Sequence, residues 1–270
     1  MQIALQKVRL NRMHRKLDWH LRRNEKIFQE AIQKWFALTI KQIQSDLTKK
    51  FIKDITSELT DWQYLKHKGQ EILKPAALSL MKDGGDTAYG ILKIEGSFDV
   101  LNVKAVEAAE KFTAELVREV NDQTRKGIRT YIAEGIKEGK SMDKVARELR
   151  PLVGLTERQA ESVMNYHNLL SEKYPALTTE DINHKVQKYA DKTHRRRTQT
   201  IARTETARAQ NLGYVESLED VGIKEVEFSA YPGCCDVCDS MNSKKYSIGR
   251  ASDIIPVHPN CRCAMLPVVE

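Results

Sequence analysis

No glycine or proline occurs before Gly69, and that absence constrains the fold more than any other feature of the chain. Glycine weakens a helix through its backbone freedom, and proline through its missing N–H and the clash of its ring with the preceding turn. A segment free of both can run as one very long helix. Its apolar residues agree. Phe28, Ile32, Phe36, Ile40, Ile43 and Leu47 recur at steps of four, four, four, three and four, one stripe of an amphipathic helix. Phe51, Ile55, Leu59 and Trp62 carry the stripe onward with a shifted phase. A helix this long cannot bury its stripe on itself, so it must pack against the rest of the chain or against another subunit.

Residues 69–101 change character. Gly69, Pro75, the Gly84-Gly85 pair, Gly90 and Gly96 punctuate short apolar runs, which predicts a hinge or loop-rich connector. Helical texture resumes at Asn102, a candidate N-cap, with Val103, Val106, Ala109, Leu116 and Val120 at apolar positions. A break is expected at 122–124, after which Ile128, Ile132 and Ile136 mark another helix closed by Gly139. Ser141 is placed to cap a helix that ends before Pro151. Thr156 and Gln159 have the spacing of a capping box in front of Ala160, Val163 and Met164. Thr178 or Thr179 can cap a long helix reaching about Leu218. Strand-like runs follow only at 226–228, 246–248 and 263–268.

The expected fold is mainly α, with long N-terminal helices, a helical middle and a small α+β Cys/His module at the C-terminus. In chain order this gives a basic long-helix region (1–68), a Gly/Pro-containing connector (69–101), a helical domain (102–218) and a small β-containing module (219–270).

Charge is distributed unevenly. Residues 1–60 hold 13 Lys+Arg against 6 Asp+Glu, which accounts for the whole net charge of +7. Arg9, Arg12, Arg15, Lys16, Arg22 and Arg23 form an arm that can meet DNA phosphates, an acidic protein surface, or only water. Arg195, Arg196 and Arg197 repeat that chemistry in the later long helix. DNA binding of this kind is salt-sensitive and independent of sequence. Trp35 and Trp62 fall among helix-stripe positions and read as core, so few aromatics remain for base stacking. No run approaches the roughly 18 apolar residues of a membrane span, and no signal peptide is legible. The expectation is a protein kept in a cytoplasm, with no membrane partner and no small-molecule substrate.

All five cysteines fall between Cys234 and Cys263. Cys235-x2-Cys238 and His258-x2-Cys261, followed by Cys263, place two pairs of soft ligands on tight turns around a short excursion. That pattern suits a tetrahedral zinc ion held by Cys235, Cys238, His258 and one of Cys261 or Cys263, with Cys234 spare. A module this small has little core of its own, and a closed four-ligand site would be structural. Pro232-Gly233, Pro256 and Pro259 would stiffen the ligand-bearing turns. Two other readings stay open: a disulfide framework, which the odd cysteine count disfavours, and buried free thiols.

Three segments of the C-terminal third resemble the phage head-morphogenesis family typified by the phage Mu F-like minor head proteins. They are Ile201-Ala202-Arg203-Thr204-Glu205-Thr206 with Asn211-Leu212-Gly213-Tyr214, then Cys235-x2-Cys238, then His258-Pro259-Asn260-Cys261-Arg262-Cys263. The resemblance covers about residues 125–270 and gives Arg203, Glu205, Asn211 and Gly213 as motif positions. Where the family often has Leu-Asp-Gly after its second cysteine, this chain has Met241-Asn242-Ser243. The resemblance implies a low-copy structural protein of a tailed-phage virion, in the head interior or at the portal vertex, and in the host cytoplasm during assembly. It would contact the portal protein, the major capsid protein or double-stranded DNA. No catalytic activity is expected. A zinc deaminase needs a His-x-Glu element before its Cys-x2-Cys, and here the order is reversed with no Glu two residues after His258. The competing classes are a metal-containing DNA-binding protein and a His-metal nuclease or toxin-associated module.

Overall fold

The computed structural model describes residues 2–50, 60–101, 103–137 and 148–268. Within them the chain is mainly helical. Helix α1 spans Gln2–Lys50, α2 Trp62–Leu92, α3 Val103–Lys137, α4 Glu157–Lys173 and α5 Thr179–Asp220, with a 3-10 turn at Arg150–Leu152. Then come β1 (Glu225–Ser229), α6 (Asp236–Met241), β2 (Lys245–Ser247), α7 (Ile248–Ala251) and β3 (Ala264–Pro267). The mainly α architecture with a small C-terminal sheet is as the sequence predicts. Phe51, Ile55, Leu59, Asn102, Gly139 and Ser141 lie outside the described residues, as do the side chains of Leu47 and Ile136.

Local signals placed several boundaries correctly. Thr156 and Gln159 make the reciprocal capping box, and Thr178 accepts from the N–H of Asp181 at 3.1 Å to start α5. The connector expected at 69–101 is instead mostly helix, since α2 runs through Gly69, Pro75, Gly84, Gly85 and Gly90 to Leu92. The reason is packing. A Cβ on Gly84 would lie 2.0 Å from the Gln210 carbonyl oxygen, and one on Gly213 would lie 1.9 Å from that of Met81. The two glycines let α2 and α5 cross backbone to backbone, which offsets the ~1 kcal/mol that a helical glycine costs. The break expected at 122–124 is also absent. Thr124 is buried and returns its hydroxyl to the Val120 carbonyl at 2.8 Å, so it is satisfied inside α3.

The chain divides into two compact units that do not follow chain order. One comprises Gln33–Glu71 and Ala114–Thr198. Its core is aliphatic, with Ile43, Leu65, Leu149, Val153 and Leu155 all at most 1% exposed. Each such side chain contributes roughly 1.5–3 kcal/mol by burial.

The other unit comprises Met1–Ile32, Ile72–Thr113 and Gln199–Glu270. It contains the three-stranded antiparallel sheet, ordered β2-β1-β3, with Val226 opposite Tyr246 and Phe228 opposite Met265. Val226 and Phe228 alternate inward on β1, and the apolar layer beneath them includes Tyr214 and Leu218 of α5 together with Cys238, Cys261 and Cys263. Three of the five thiols are therefore core residues.

Candidate metal centre

Two turns of the same design present the ligands. In Tyr231-Pro232-Gly233-Cys234 the Cys234 N–H donates to the Tyr231 carbonyl at 2.9 Å, and Gly233 has φ +78°. In His258-Pro259-Asn260-Cys261 the Cys261 N–H donates to the His258 carbonyl at 3.1 Å, and Asn260 has φ +63°. Proline second and a left-handed residue third is the pattern of a type II turn, with glycine and asparagine the residues that best tolerate that backbone. Cys235 then caps α6 and Cys238 sits one turn in, which brings both sulfurs to one side.

The Cys/His cluster can hold a metal ion. Cys235, Cys238 and His258 form one triad and Cys238, Cys261 and Cys263 another, the donor atoms within each lying no more than 4.8 Å apart. Cys238 belongs to both. His258 Nε2 faces the sulfurs of Cys235 and Cys238 at 3.3 and 3.2 Å. Its Nδ1–H donates to the Pro259 carbonyl at 2.9 Å, which fixes the tautomer that leaves the Nε2 lone pair toward the thiols. A metal-binding imidazole is oriented by such a second bond, so the donor set fits a soft divalent cation. All five residues expected as ligands are thus brought together. Cys261 and Cys263 group around Cys238 rather than around His258, and Cys234 belongs to neither triad.

The thiols share protons unequally. A hydrogen bond from the Cys263 thiol, reinforced by nearby N–H groups, pulls Cys261 down to about 5. Burial pushes Cys238 up to about 12, and the hydrogen bond to Cys261 with burial pushes Cys263 up as well. The N–H of Cys238 favours the Cys235 thiolate, and the Pro259 carbonyl raises His258. A cation entering the cluster must displace the proton of Cys238, which belongs to both triads, so uptake releases protons.

Behind the cluster, the Cys261-Arg262-Cys263 strip is clamped to α1. The Arg262 guanidinium bonds Asp18 at 3.2 Å and Glu25 at 2.7 Å, with all three side chains less than 20% exposed. The Arg262 carbonyl accepts from His14 Nε2–H at 3.2 Å, and His14 Nδ1 accepts the Ser229 hydroxyl at 2.8 Å. Burial lowers the pKa of His14 and keeps it neutral. The motif residues of α5 join the same network. Arg203 reaches Glu25 and the Asn260 side chain, each at 3.4 Å, while Thr204 accepts the Asn260 N–H at 3.0 Å. Asn211 donates to the Ala251 carbonyl at 3.3 Å, and Glu205 pairs with Arg208 at 3.1 Å.

Asp18, Glu25, His14 and Thr204 were not among the sequence candidates. The first three recur at four- and seven-residue steps, a polar line on one face of α1 that was legible as a pattern but had no visible partner.

The basic candidates separate. Arg12, Arg15, Lys16, Arg22, Arg23, Arg195 and Arg196 are exposed, whereas the Arg9 side chain lies outside the described residues. Arg197 is a correction. It is 5% exposed, donates to Gln123 at 3.0 Å and lies over the Phe36 ring, and burial lowers its pKa to about 10. Its position on the inner face of α5 removes it from any partner surface. Trp35 is fully buried, Trp62 partly so, and Trp19 is 55% exposed. No described helix is long and apolar enough to cross a membrane. No protein-family model, curated protein or solved structure matches the chain.

Proposed function

We propose that this chain is a low-copy minor head-morphogenesis protein of a tailed bacteriophage, acting near the portal vertex through contacts with portal or capsid protein. The supporting observation is that the three segments carrying the resemblance meet in space. Arg203 and Thr204 of the first hold Asn260 of the third, and His258 of the third faces Cys235 and Cys238 of the second. A set of motifs that closes on itself has the character of a structural module whose use is shape rather than turnover.

The ion is structural zinc, held by Cys235, Cys238 and His258 with Cys261 or Cys263 as fourth ligand. Zinc there supplies a cross-link between the two ligand-bearing turns. A nuclease using His258 as base gains no support, because Nε2 faces two sulfurs and Nδ1 is committed to Pro259. No catalytic role is assigned to any residue.

Counting the chain against the major capsid protein in purified particles and assembly intermediates tests the reading. A small, reproducible copy number is expected. Absence from every particle form sinks it. Metal analysis of the purified protein is expected to give about one zinc per chain.

A further inference from the structure

The acids of α1 neutralise only part of its basic charge: Asp18 takes Arg22 and Glu30 takes Lys26, while other bases are left over. Asp18 and Glu25, with side chains 14% and 19% exposed, turn toward Arg262 and Arg203 of the same unit. Asp18 also takes Arg22, which reaches Tyr231 as well. Between Asn11 and Lys26 the exposed charged residues outside that network are Arg12, Arg15, Lys16, Arg23 and Lys26, the last paired with the exposed Glu30 at 3.9 Å. At about 100° per residue the first four fall within roughly 100° of arc, on a row about 16 Å long. Trp19 lies near the centre of the arc, 55% exposed, with the Arg23 guanidinium 5.3 Å from its ring centroid.

We propose that this face of α1 is a docking surface for the phosphate backbone of duplex DNA. The proposal deepens the head-protein reading and rests on it for its biological setting. Duplex DNA carries one negative charge per about 1.7 Å of axis, so a row of this length meets on the order of ten charges. Cations fixed on a helix suit a stiff polymer with regular charge spacing, since little ordering is needed on contact. Trp19 argues the same way. Arg23 lies over its ring, which makes the indole a poor platform for an unpaired base and leaves its edge to the sugar-phosphate chain. Contacts of this kind carry no base information.

The test uses the full chain and a short labelled duplex, with binding followed by anisotropy and Trp19 fluorescence from about 50 to 200 mM salt. Replacing Arg12, Arg15, Lys16 and Arg23 together by glutamine is expected to weaken binding at least ~10-fold and to flatten the salt slope by roughly 3 to 4. The matching set with lysine at the arginine positions should keep both. Trp19→Phe should abolish the fluorescence change while binding by anisotropy persists. The substituted residues are exposed, and an unchanged melting curve confirms that the variants fold.

An unchanged slope in the glutamine variant overturns the proposal. So does an equal loss in the Arg195→Gln/Arg196→Gln chain, tighter binding of a single strand of equal length, or equal competition by polyglutamate. A chain present in particles that ignores DNA sinks this surface alone. A chain that binds DNA through this face yet is absent from particles sinks only the head-protein reading.

Discussion

The aliphatic unit and the cysteine-bearing unit hold themselves together by different means. In the first, long helices bring large side chains such as Ile43 and Leu65 into a layer that Leu149 and Leu155, from the turns before α4, complete. The second includes strands of five, three and four residues, too short to enclose a comparable layer. Its interior is completed by sulfur, and its edge is tied to α1 through Arg262 and His14 and to α5 through Asn260. Helices can recruit core at any turn, whereas a short-stranded module needs directional bonds from outside itself.

Cys238→Ser should give the largest effect, because that thiol serves both triads. The metal-linked stability of a structural zinc site is on the order of 10 kcal/mol. Calorimetry should lose the transition of the cysteine-bearing unit, and a chelator should have the same effect on the unaltered chain. A chelator-insensitive melt with both transitions intact would break the contrast.

Gly213→Val comes next, at about 3 kcal/mol or more, since its Cβ has no room beside the Met81 carbonyl. Leu149→Ala should cost about 3 kcal/mol in the aliphatic unit while leaving metal content untouched. Metal content that falls as well would break the contrast between the two units.

Glu25→Gln should cost roughly 1–2 kcal/mol, measured by denaturant titration, because it removes a carboxylate, only 19% exposed, that Arg203 and Arg262 share. The smallest effect has the opposite sign. Ser243 holds φ +63° where the resembling family often has glycine, so Ser243→Gly should add about 0.5–1 kcal/mol. A neutral or destabilising result would mean that Ser243 makes a compensating contact.

The elements readable from sequence were those decided within a few residues. The capping box at Thr156 and Gln159, the start of α5 at Thr178, the inward alternation of β1 and the Pro-led ligand turns all depend on near neighbours. The misreadings share a different cause. Gly84 looks like a breaker until Gly213 is known to face α2, and Arg197 looks like one of three exposed cations until Phe36 and Gln123 are known to cover it. The ligand set was legible as chemistry, but its grouping around Cys238 was not. Sulfur-to-sulfur distances follow from how β3 and α6 pack, which spacing along the chain does not encode.

The discontinuity of the two units has a consequence for synthesis. The aliphatic unit has all its segments once Thr198 has been made, whereas the cysteine-bearing unit waits until Gln199 and beyond for the last partners of its first helix. At roughly 5–20 residues per second the interval from Ile32 is on the order of 10 s, during which Asp18 and Glu25 lack the Arg262 guanidinium that finally pairs them. His258, Cys261 and Cys263 follow every helix of this unit in chain order, so ion capture waits until those helices have been made. The first helix of the unit is therefore locked late, by an arginine 244 positions beyond Asp18.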